Sequence, residues 1–154
     1  MAPQPPEGTV LARNWGALSL LHAHVQGHLE RVLAEGWGLS AREYDLLDVL
    51  SRQHAGPGGH LQMKQVADAV LLSQSATTRL VTRLEERGLL ARFFCPTDRR
   101  GIYTNVTPEG FAVLERARPA HDAALAEAFA AARREPASRP LVAALEAFWK
   151  GRQA

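Results

Sequence analysis

The segment from Leu71 to Gly110 constrains the fold of this chain more than any other. Its first part, which Ser73 or Ser75 caps and which ends at Gly88, predicts a helix with a polar outer face. Two short runs rich in aromatic and β-branched residues follow, Leu89 to Phe94 and Ile102 to Val106, and they predict a β-hairpin whose turn carries Asp98-Arg99-Arg100. Such a helix fits the major groove of DNA, and such a turn can reach the neighbouring phosphates or the minor groove. The segment therefore predicts contact with double-stranded DNA.

Positive charge is concentrated in the same part of the chain. The formal net charge of the 154 residues is only +2, which is too small for a general binder of polyanions. From Lys64 to Arg100, however, there are seven Lys or Arg residues and four Asp or Glu residues, whereas the rest of the chain has eleven and twelve. Phosphate binding requires a local excess of this kind. The length and the apolar content of 46% fit one domain with a hydrophobic core.

The predicted helix after Ser73 has two faces. At helical spacing the residues of one side are Ala76, Thr77, Leu80, Val81 and Leu84, which should pack inward. The other side carries hydroxyl, amide and guanidinium groups, which suit base edges and phosphates. In the turn, one of the two arginines is expected to enter the minor groove while the aspartate holds the tip in shape. The residues expected to contact DNA are Lys64, Ser73, Gln74, Ser75, Thr78, Arg79, Thr82, Arg83, Asp98, Arg99 and Arg100.

The region before this segment predicts three helices. After a proline-rich tail, apolar periodicity predicts a long amphipathic helix from Thr9 to Glu35, ended by Gly36 and Gly38.

Ser40 and Glu43 have the spacing of a capping box and predict the start of a second helix. A short third helix is expected over Met63–Val70, and His60-Leu61-Gln62 in front of it could pair as a short strand.

The region after the hairpin predicts two more helices. Thr107 and Pro108 form a start signal for a long alanine-rich helix that reaches about Arg134 and that Pro119 should kink. A final helix is expected over Leu141–Lys150. Its apolar face consists of Leu145, Phe148 and Trp149.

Three motifs resemble those of the MarR family of bacterial transcription regulators. The run Ser73–Leu89 is similar to that family's recognition helix, Asp98-x-Arg100 matches its wing motif, and Thr107–Gly110 is similar to the entry of the next helix. The resemblance implies a mainly α protein with a small β-hairpin wing, that is, a winged helix-turn-helix with N- and C-terminal dimerisation helices. It also implies a homodimer that binds a palindromic operator and acts as a repressor.

The predicted domain organisation follows from the helices and from this resemblance. Residues 1–8 form a disordered tail, residues 9–36 and 108–154 form a helical dimerisation region, and residues 40–107 form the DNA-binding lobe.

The resemblance further implies release from DNA by a small-molecule effector of unknown identity. Trp15, Asp45 and Asp48 resemble positions that one branch of the family uses for aromatic or purine-like anions. The candidate ligand-binding residues are Trp15, His22 and Asp45. Trp15 could instead be an aromatic residue of the dimer core. His24 and His28 stand one helical turn apart, but without a cysteine or clustered carboxylates they favour an interface role over a metal site.

Other function classes find little support in the sequence. It contains no nucleophile triad signature, zinc-protease motif, phosphate loop or dinucleotide fingerprint, so we expect neither an enzyme nor a cofactor. No apolar run is long enough for a membrane span, and the single Cys95 excludes an internal disulfide, which together favour the cytoplasm. Two alternatives stay open: a winged-helix protein-protein adaptor that does not bind DNA, and a regulator that senses oxidation through Cys95.

Overall fold

The computed structural model describes residues 9–53, 59–95 and 98–152, and it describes the side chains of these residues except those at 95, 98–102 and 149. The elements are α1 (Val10–Trp37), α2 (Ala41–Ser51), α3 (Met63–Ala69), α4 (Gln74–Glu86), β1 (Leu90–Cys95), β2 (Asp98–Val106), α5 (Pro108–Arg134) and α6 (Arg139–Gly151). The predicted mainly α fold with a single β-hairpin is confirmed.

The chain forms two compact units. The helical unit comprises Met1–Arg31 and Asp122–Ala154, and the winged-helix unit comprises Val32–His121. Helices α1 and α5 therefore contribute residues to both units, whereas the sequence had suggested boundaries at the ends of these helices.

The winged-helix unit is built around α4. This helix contacts α3 and β1, while α2 contacts α3 and β2. The apolar face predicted for α4 is buried, with Val81 and Leu84 fully inaccessible and Thr77 inaccessible beside them. The other large side chains that are fully buried in the described part of this unit are Leu33, Leu39, Leu46, Leu47, Val66 and Leu114. Burial of one face leaves only the opposite, polar face of α4 for a partner.

Local hydrogen bonds explain where the helices begin. The Ser40 hydroxyl accepts a hydrogen bond from the Glu43 amide at 3.0 Å, and the Glu43 carboxylate accepts one from the Ser40 amide at 2.9 Å, so the predicted capping box is confirmed. Ser73, rather than Ser75, caps α4. The Thr107 hydroxyl accepts from the Gly110 amide at 3.1 Å and caps α5 as predicted.

Two glycines, one at the end of α1 and one in the first turn of α5, are required by the backbone geometry. Gly38, with φ of +62°, ends α1, and Gly36, which the sequence had also suggested as an end, lies inside the helix. Gly110 packs so closely on the preceding segment that a Cβ atom there would lie 2.2 Å from the Leu89 carbonyl oxygen. Only glycine fits at this approach, which accounts for the glycine that ends the Thr-Pro-Glu-Gly run.

The β-hairpin is antiparallel, with Leu90 opposite Val106 and Phe94 opposite Ile102. Its second strand is longer than predicted, because β2 begins at Asp98 rather than at Ile102. The pairing shifts after Phe94, so that Cys95 pairs with Asp98 and residues 99–101 are extra residues in β2. Asp98, Arg99 and Arg100 therefore belong to the irregular start of a strand rather than to the turn.

The segment His60-Leu61-Gln62 does not form the short strand that the sequence allowed. The Gln53 side chain makes contacts that a pairing strand would otherwise make. Its Oε1 atom accepts a hydrogen bond from the Leu61 amide at 2.8 Å, and its Nε2 atom donates to the Thr104 carbonyl oxygen at 2.8 Å. One amide side chain thus links this segment to β2 without a backbone ladder.

The helical unit has its own small core. Leu21, Ala132 and Val142 are buried, and Val25, Phe129 and Leu141 pack against them. Helix α6 thus turns Val142 inward, whereas two residues of its predicted apolar face, Leu145 and Phe148, are exposed in the single chain. The Trp149 side chain lies outside the described residues. Helix α5 continues through Pro119.

Candidate nucleic-acid interface

The outer face of α4 presents a compact set of polar side chains. All of the following are exposed: Gln74, Ser75, Thr78, Arg79 and Arg83. Ser73 at the N-cap and Lys64 on α3 are exposed as well. The face therefore contains hydroxyl, amide and guanidinium groups on a helix whose other side is fixed in the core.

Some of the hydroxyl groups at the start of α4 already make hydrogen bonds within the protein. Thr78 donates to the Gln74 carbonyl oxygen at 2.9 Å, and the hydroxyls of Ser73 and Ser75 lie 3.3 Å apart. A hydroxyl that donates to the backbone keeps lone pairs that can accept a hydrogen bond. Thr78 is thus suited to receive a hydrogen bond from the amino group of adenine or cytosine.

Arg79 is the residue of α4 best placed for a directional contact. Its Nε atom donates to the Ser75 carbonyl oxygen at 3.4 Å, a weak contact that directs the side chain along the exposed face. This contact uses only Nε, and the two terminal nitrogens of a guanidinium group match the acceptor pair of guanine.

Thr82 has a different environment from the other residues of the predicted DNA face. It is half-buried, and its hydroxyl accepts a hydrogen bond from Arg92 of β1 at 3.0 Å. The Arg92 Nε atom also lies 2.9 Å from a carboxylate oxygen of Glu85. Arg92 therefore links the first strand of the wing to α4. Sequence analysis missed this role, although strand alternation places Arg92 on the same side of β1 as the buried Leu90.

The C-terminal end of α4 is held by a second arginine that sequence analysis missed. Arg87 donates to the Glu43 carboxylate at 3.1 Å and to the Gly38 carbonyl oxygen at 3.0 Å. The same Glu43 oxygen accepts the Ser40 amide of the capping box. One carboxylate thus starts α2 and also fixes the end of α4, and this double use is why Glu43 is buried.

An aromatic cluster supports the base of the wing. Phe93 and Tyr103 are cross-strand partners with ring centroids 5.7 Å apart, and the His60 ring contacts both, at 5.2 Å from Phe93 and 6.0 Å from Tyr103. Such pairs stabilise a two-stranded ribbon that would be marginal alone. The side chains of Asp98, Arg99 and Arg100, which the sequence assigned to DNA contact, lie outside the described residues, as does the Cys95 side chain.

The three candidate ligand-binding residues have different environments. Trp15 and His22 are exposed in the helical unit, and Trp15 is 67% accessible. Asp45 is half-buried in the winged-helix unit, where burial raises the pKa of its carboxyl group although Arg42 and His121 oppose this shift. That these residues share one ligand site stays a prediction.

Asp48, beside Asp45 on α2, is held by two arginines. Arg118 donates to it at 2.8 Å, and Arg52 donates to its other oxygen. The hydrogen bond to Asp48 raises the pKa of Arg118, so this guanidinium group stays charged. The ion pair between Arg118 and Asp48 links α5 to α2 within the winged-helix unit.

The helical unit contains a groove of about 260 Å³ lined by His24, His28, Glu127 and Glu135 together with alanines. Both ring nitrogens of His28 are engaged, with Glu127 at 2.9 Å and Arg31 at 2.6 Å. In the described part of the chain, no three His, Cys, Asp or Glu side chains are arranged to hold a metal ion. No described helix combines the length and apolarity that crossing a membrane requires.

Comparison with known proteins agrees with this architecture. The family model of the MarR family matches residues 37–101. The transcriptional regulator PecS of Dickeya dadantii is 33% identical over 106 residues, which cover 69% of this chain but only 62% of PecS. The regulator MhqR of Bacillus subtilis is 29% identical over 110 residues, which cover 71% of this chain and 72% of MhqR.

Three solved structures extend the comparison. A MarR-family regulator of Streptomyces coelicolor, solved in complex with DNA, is 27% identical with a TM-score of 0.71, and the match covers 96% of this chain and 90% of that one. CouR of Rhodococcus jostii, solved with p-coumaroyl-CoA, is 33% identical with a TM-score of 0.64, covering 76% of this chain and 79% of CouR. These relatives are transcription regulators and not enzymes. A MarR-family transcriptional regulator of Rhodococcus sp. RHA1 is 32% identical with a TM-score of 0.67, covering 79% of this chain and 83% of that one. The chain therefore belongs to the MarR family and is a transcriptional regulator with a DNA-binding winged helix.

Proposed function

We propose that this protein is a repressor that binds a palindromic operator as a homodimer and leaves it when a small molecule binds. The observation that carries the proposal is the outer face of α4, where exposed hydroxyl, amide and guanidinium groups stand on a helix whose opposite face is fully buried. A helix fixed in this way can enter the major groove without rearranging its support.

Different residues of this face have different proposed roles. Arg79 contacts a guanine edge, because its guanidinium group extends along the exposed face. Arg83, in the last turn of α4, contacts phosphates. Lys64, Ser73, Gln74, Ser75 and Thr78 add further contacts, and Thr82 contributes through its hydrogen bond with Arg92. In the wing, Arg99 or Arg100 enters the minor groove and Asp98 holds the strand start in shape. The relative from Streptomyces coelicolor that was solved with DNA supports this mode of binding.

Homodimerisation is proposed from the exposed apolar side chains of the helical unit. In the single chain Phe148 is 61% accessible and Trp15 is 67% accessible, and Leu11, Leu18 and Leu145 are exposed as well. Several large apolar side chains left exposed in one unit are typical of a subunit interface. Two copies related by a two-fold axis would present two α4 helices, and an operator that matches them is palindromic.

The effector is proposed to be an aromatic or purine-like anion that binds near Trp15, His22 and Asp45. The p-coumaroyl-CoA bound to CouR supports an aromatic carboxylic acid derivative as the chemical class. The proposed location is the cytoplasm, where the operator DNA is found.

The test uses a DNA duplex selected by the protein from a library of random sequences. Arg79→Ala should relax the preference at one base pair of each half-site by roughly 1–3 kcal/mol. Arg83→Ala should weaken binding to all sequences about equally and reduce the slope of log affinity against log salt by about 0.9 per contact.

The matched control is Arg134→Ala, which removes the same charge from an exposed position at the end of α5. This variant should bind the selected duplex as the wild type does. Failure to select any duplex would contradict the proposed function, and identical behaviour of the variants at 79, 83 and 134 would contradict the assignment of α4. Sedimentation of Phe148→Glu, which should yield a monomer, tests the dimer separately.

A further inference from the structure

Leu71 has an unusual backbone conformation for its residue type. Its φ angle is +56°, and among the described residues other than glycine it alone has a positive φ. Its side chain is also 81% accessible, which is the highest value among the exposed large apolar residues of the described chain. A residue with a Cβ atom is strained in the left-handed region, and an exposed leucine gains little from burial within its own chain.

The hydrogen bonds around Leu71 show that glycine would serve the backbone better. The Leu72 amide donates to the Ala67 carbonyl oxygen at 3.0 Å and the Leu71 amide to that of Asp68 at 3.3 Å, which is a Schellman motif at the end of α3. Helix α4 ends in the same motif, with 2.9 Å and 2.8 Å for the corresponding bonds, but there the left-handed residue is Gly88. The leucine side chain therefore has no role in forming this helix end.

The position of Leu71 relates it to the DNA-facing surface. It lies two residues before Ser73, the N-cap of α4, and the exposed Gln74 and Ser75 follow directly. Leu71 thus places an apolar side chain in solvent beside the N-terminal end of α4. This is the helix that is proposed to enter the major groove. The apolar group on the base edges of that groove is the methyl group of thymine.

We propose that Leu71 is a specificity-determining residue that contacts a thymine methyl group at the operator. The inference rests on the proposed DNA binding by α4. Contact with the methyl group removes apolar surface of both partners from water, and this gain exists only in the complex. The strain and the exposure of Leu71 in the free protein are then offset when the operator binds.

The experiment measures affinity and thermal stability of three variants on the duplex selected by the wild type. Leu71→Gly removes both the side chain and the strain, so affinity should fall about tenfold, ~1.4 kcal/mol, while the melting temperature does not fall. Leu71→Asn, which tolerates the left-handed region but is polar, should lose affinity similarly. Leu71→Met keeps an apolar side chain and is the matched control, which should bind within about twofold of the wild type.

A second arm replaces thymine by deoxyuridine in the duplex, which removes only the methyl groups. Replacing the contacted thymine of each half-site should lower the affinity of the wild type. The same replacement should leave the affinity of Leu71→Gly unchanged. Unchanged affinity of Leu71→Gly, or a parallel fall of its affinity and melting temperature, would overturn the proposal. If Leu71→Gly bound more weakly than the wild type by the same factor on the thymine and deoxyuridine duplexes, the assignment to the methyl group would be overturned. If the wild type selected no duplex at all, the proposed function itself would fail, which is distinguishable from these outcomes.

Discussion

Removing the Arg87 side chain should destabilise the winged-helix unit by a measurable amount. Arg87 donates to the Glu43 carboxylate at 3.1 Å and to the Gly38 carbonyl oxygen at 3.0 Å. The Glu43 side chain is only 9% accessible, so it depends on internal partners, whereas that of Arg87 is 39% accessible and partly screened by solvent. A hydrogen bond to a charged group contributes about 1.5–3 kcal/mol and a neutral one about 1 kcal/mol. With solvent screening, we expect Arg87→Met to cost about 2 kcal/mol.

The assay is reversible urea unfolding, supported by the melting temperature, which should fall by about 4–8 °C for a chain of this size. In a double-mutant cycle with Glu43→Gln, the two substitutions should couple by about 1 kcal/mol, because each removes the partner of the other. Arg134→Met, an exposed arginine of the other unit, is the control and should change stability by less than about 0.5 kcal/mol. If Arg87→Met were as stable as this control, the idea that the ion pair fixes the end of α4 would have to be abandoned.

Three further predictions concern single side chains of the winged-helix unit. Gly110→Ala places a Cβ atom 2.2 Å from the Leu89 carbonyl oxygen and should destabilise by at least about 3 kcal/mol in thermal unfolding, and a smaller loss would mean that α5 can shift. Thr104→Val replaces a buried hydroxyl that has no hydrogen-bond partner among the described residues and should stabilise by about 1 kcal/mol, whereas destabilisation would reveal a partner. Burial raises the pKa of the Asp45 carboxyl group above its ordinary value of 3.8, so the folded state binds the proton of this group more tightly than the unfolded state does. The contribution of Asp45 to the free energy of unfolding therefore falls as the pH rises past 3.8. Asp45→Asn should therefore unfold at higher urea than the wild type near pH 7 but not near pH 3, and equal differences at about pH 3 and pH 7 would contradict this.

The parts of the fold that sequence predicted well depend on short-range interactions. The caps at Ser40, Ser73 and Thr107 each use a hydrogen bond to an amide three residues away, so the pattern of residue types is sufficient to find them. The buried face of α4 follows in the same way from the helical period. These are the features in which one residue constrains its near neighbours along the chain.

The parts that sequence missed depend on contacts between distant residues. Gln53 reaches Thr104 from 51 positions away, and no residue type in the His60-Leu61-Gln62 run indicates that an amide side chain would replace a strand. The start of β2 at Asp98 was missed for a related reason. Its pairing with Cys95 depends on an irregular register, and a sequence rich in Pro, Thr, Asp and Gly predicts a turn there. Neither a side-chain contact between distant residues nor an irregular strand register follows a local period by which it can be recognised.

Apart from Thr82, which Arg92 contacts, the residues that hold the middle and the C-terminal end of α4 differ from those proposed to contact DNA. Arg87 fixes its C-terminal end to α2 and the preceding loop, and Arg92 fixes its middle to β1. Arg79 and Arg83 lie on the exposed face of α4 and take no part in these contacts. Substitutions on that face should therefore change DNA affinity with little effect on stability, whereas substitutions of Arg87 or Arg92 should change both. Since side chains of the exposed face contribute little to the core, the base sequence that α4 reads can change without loss of the fold.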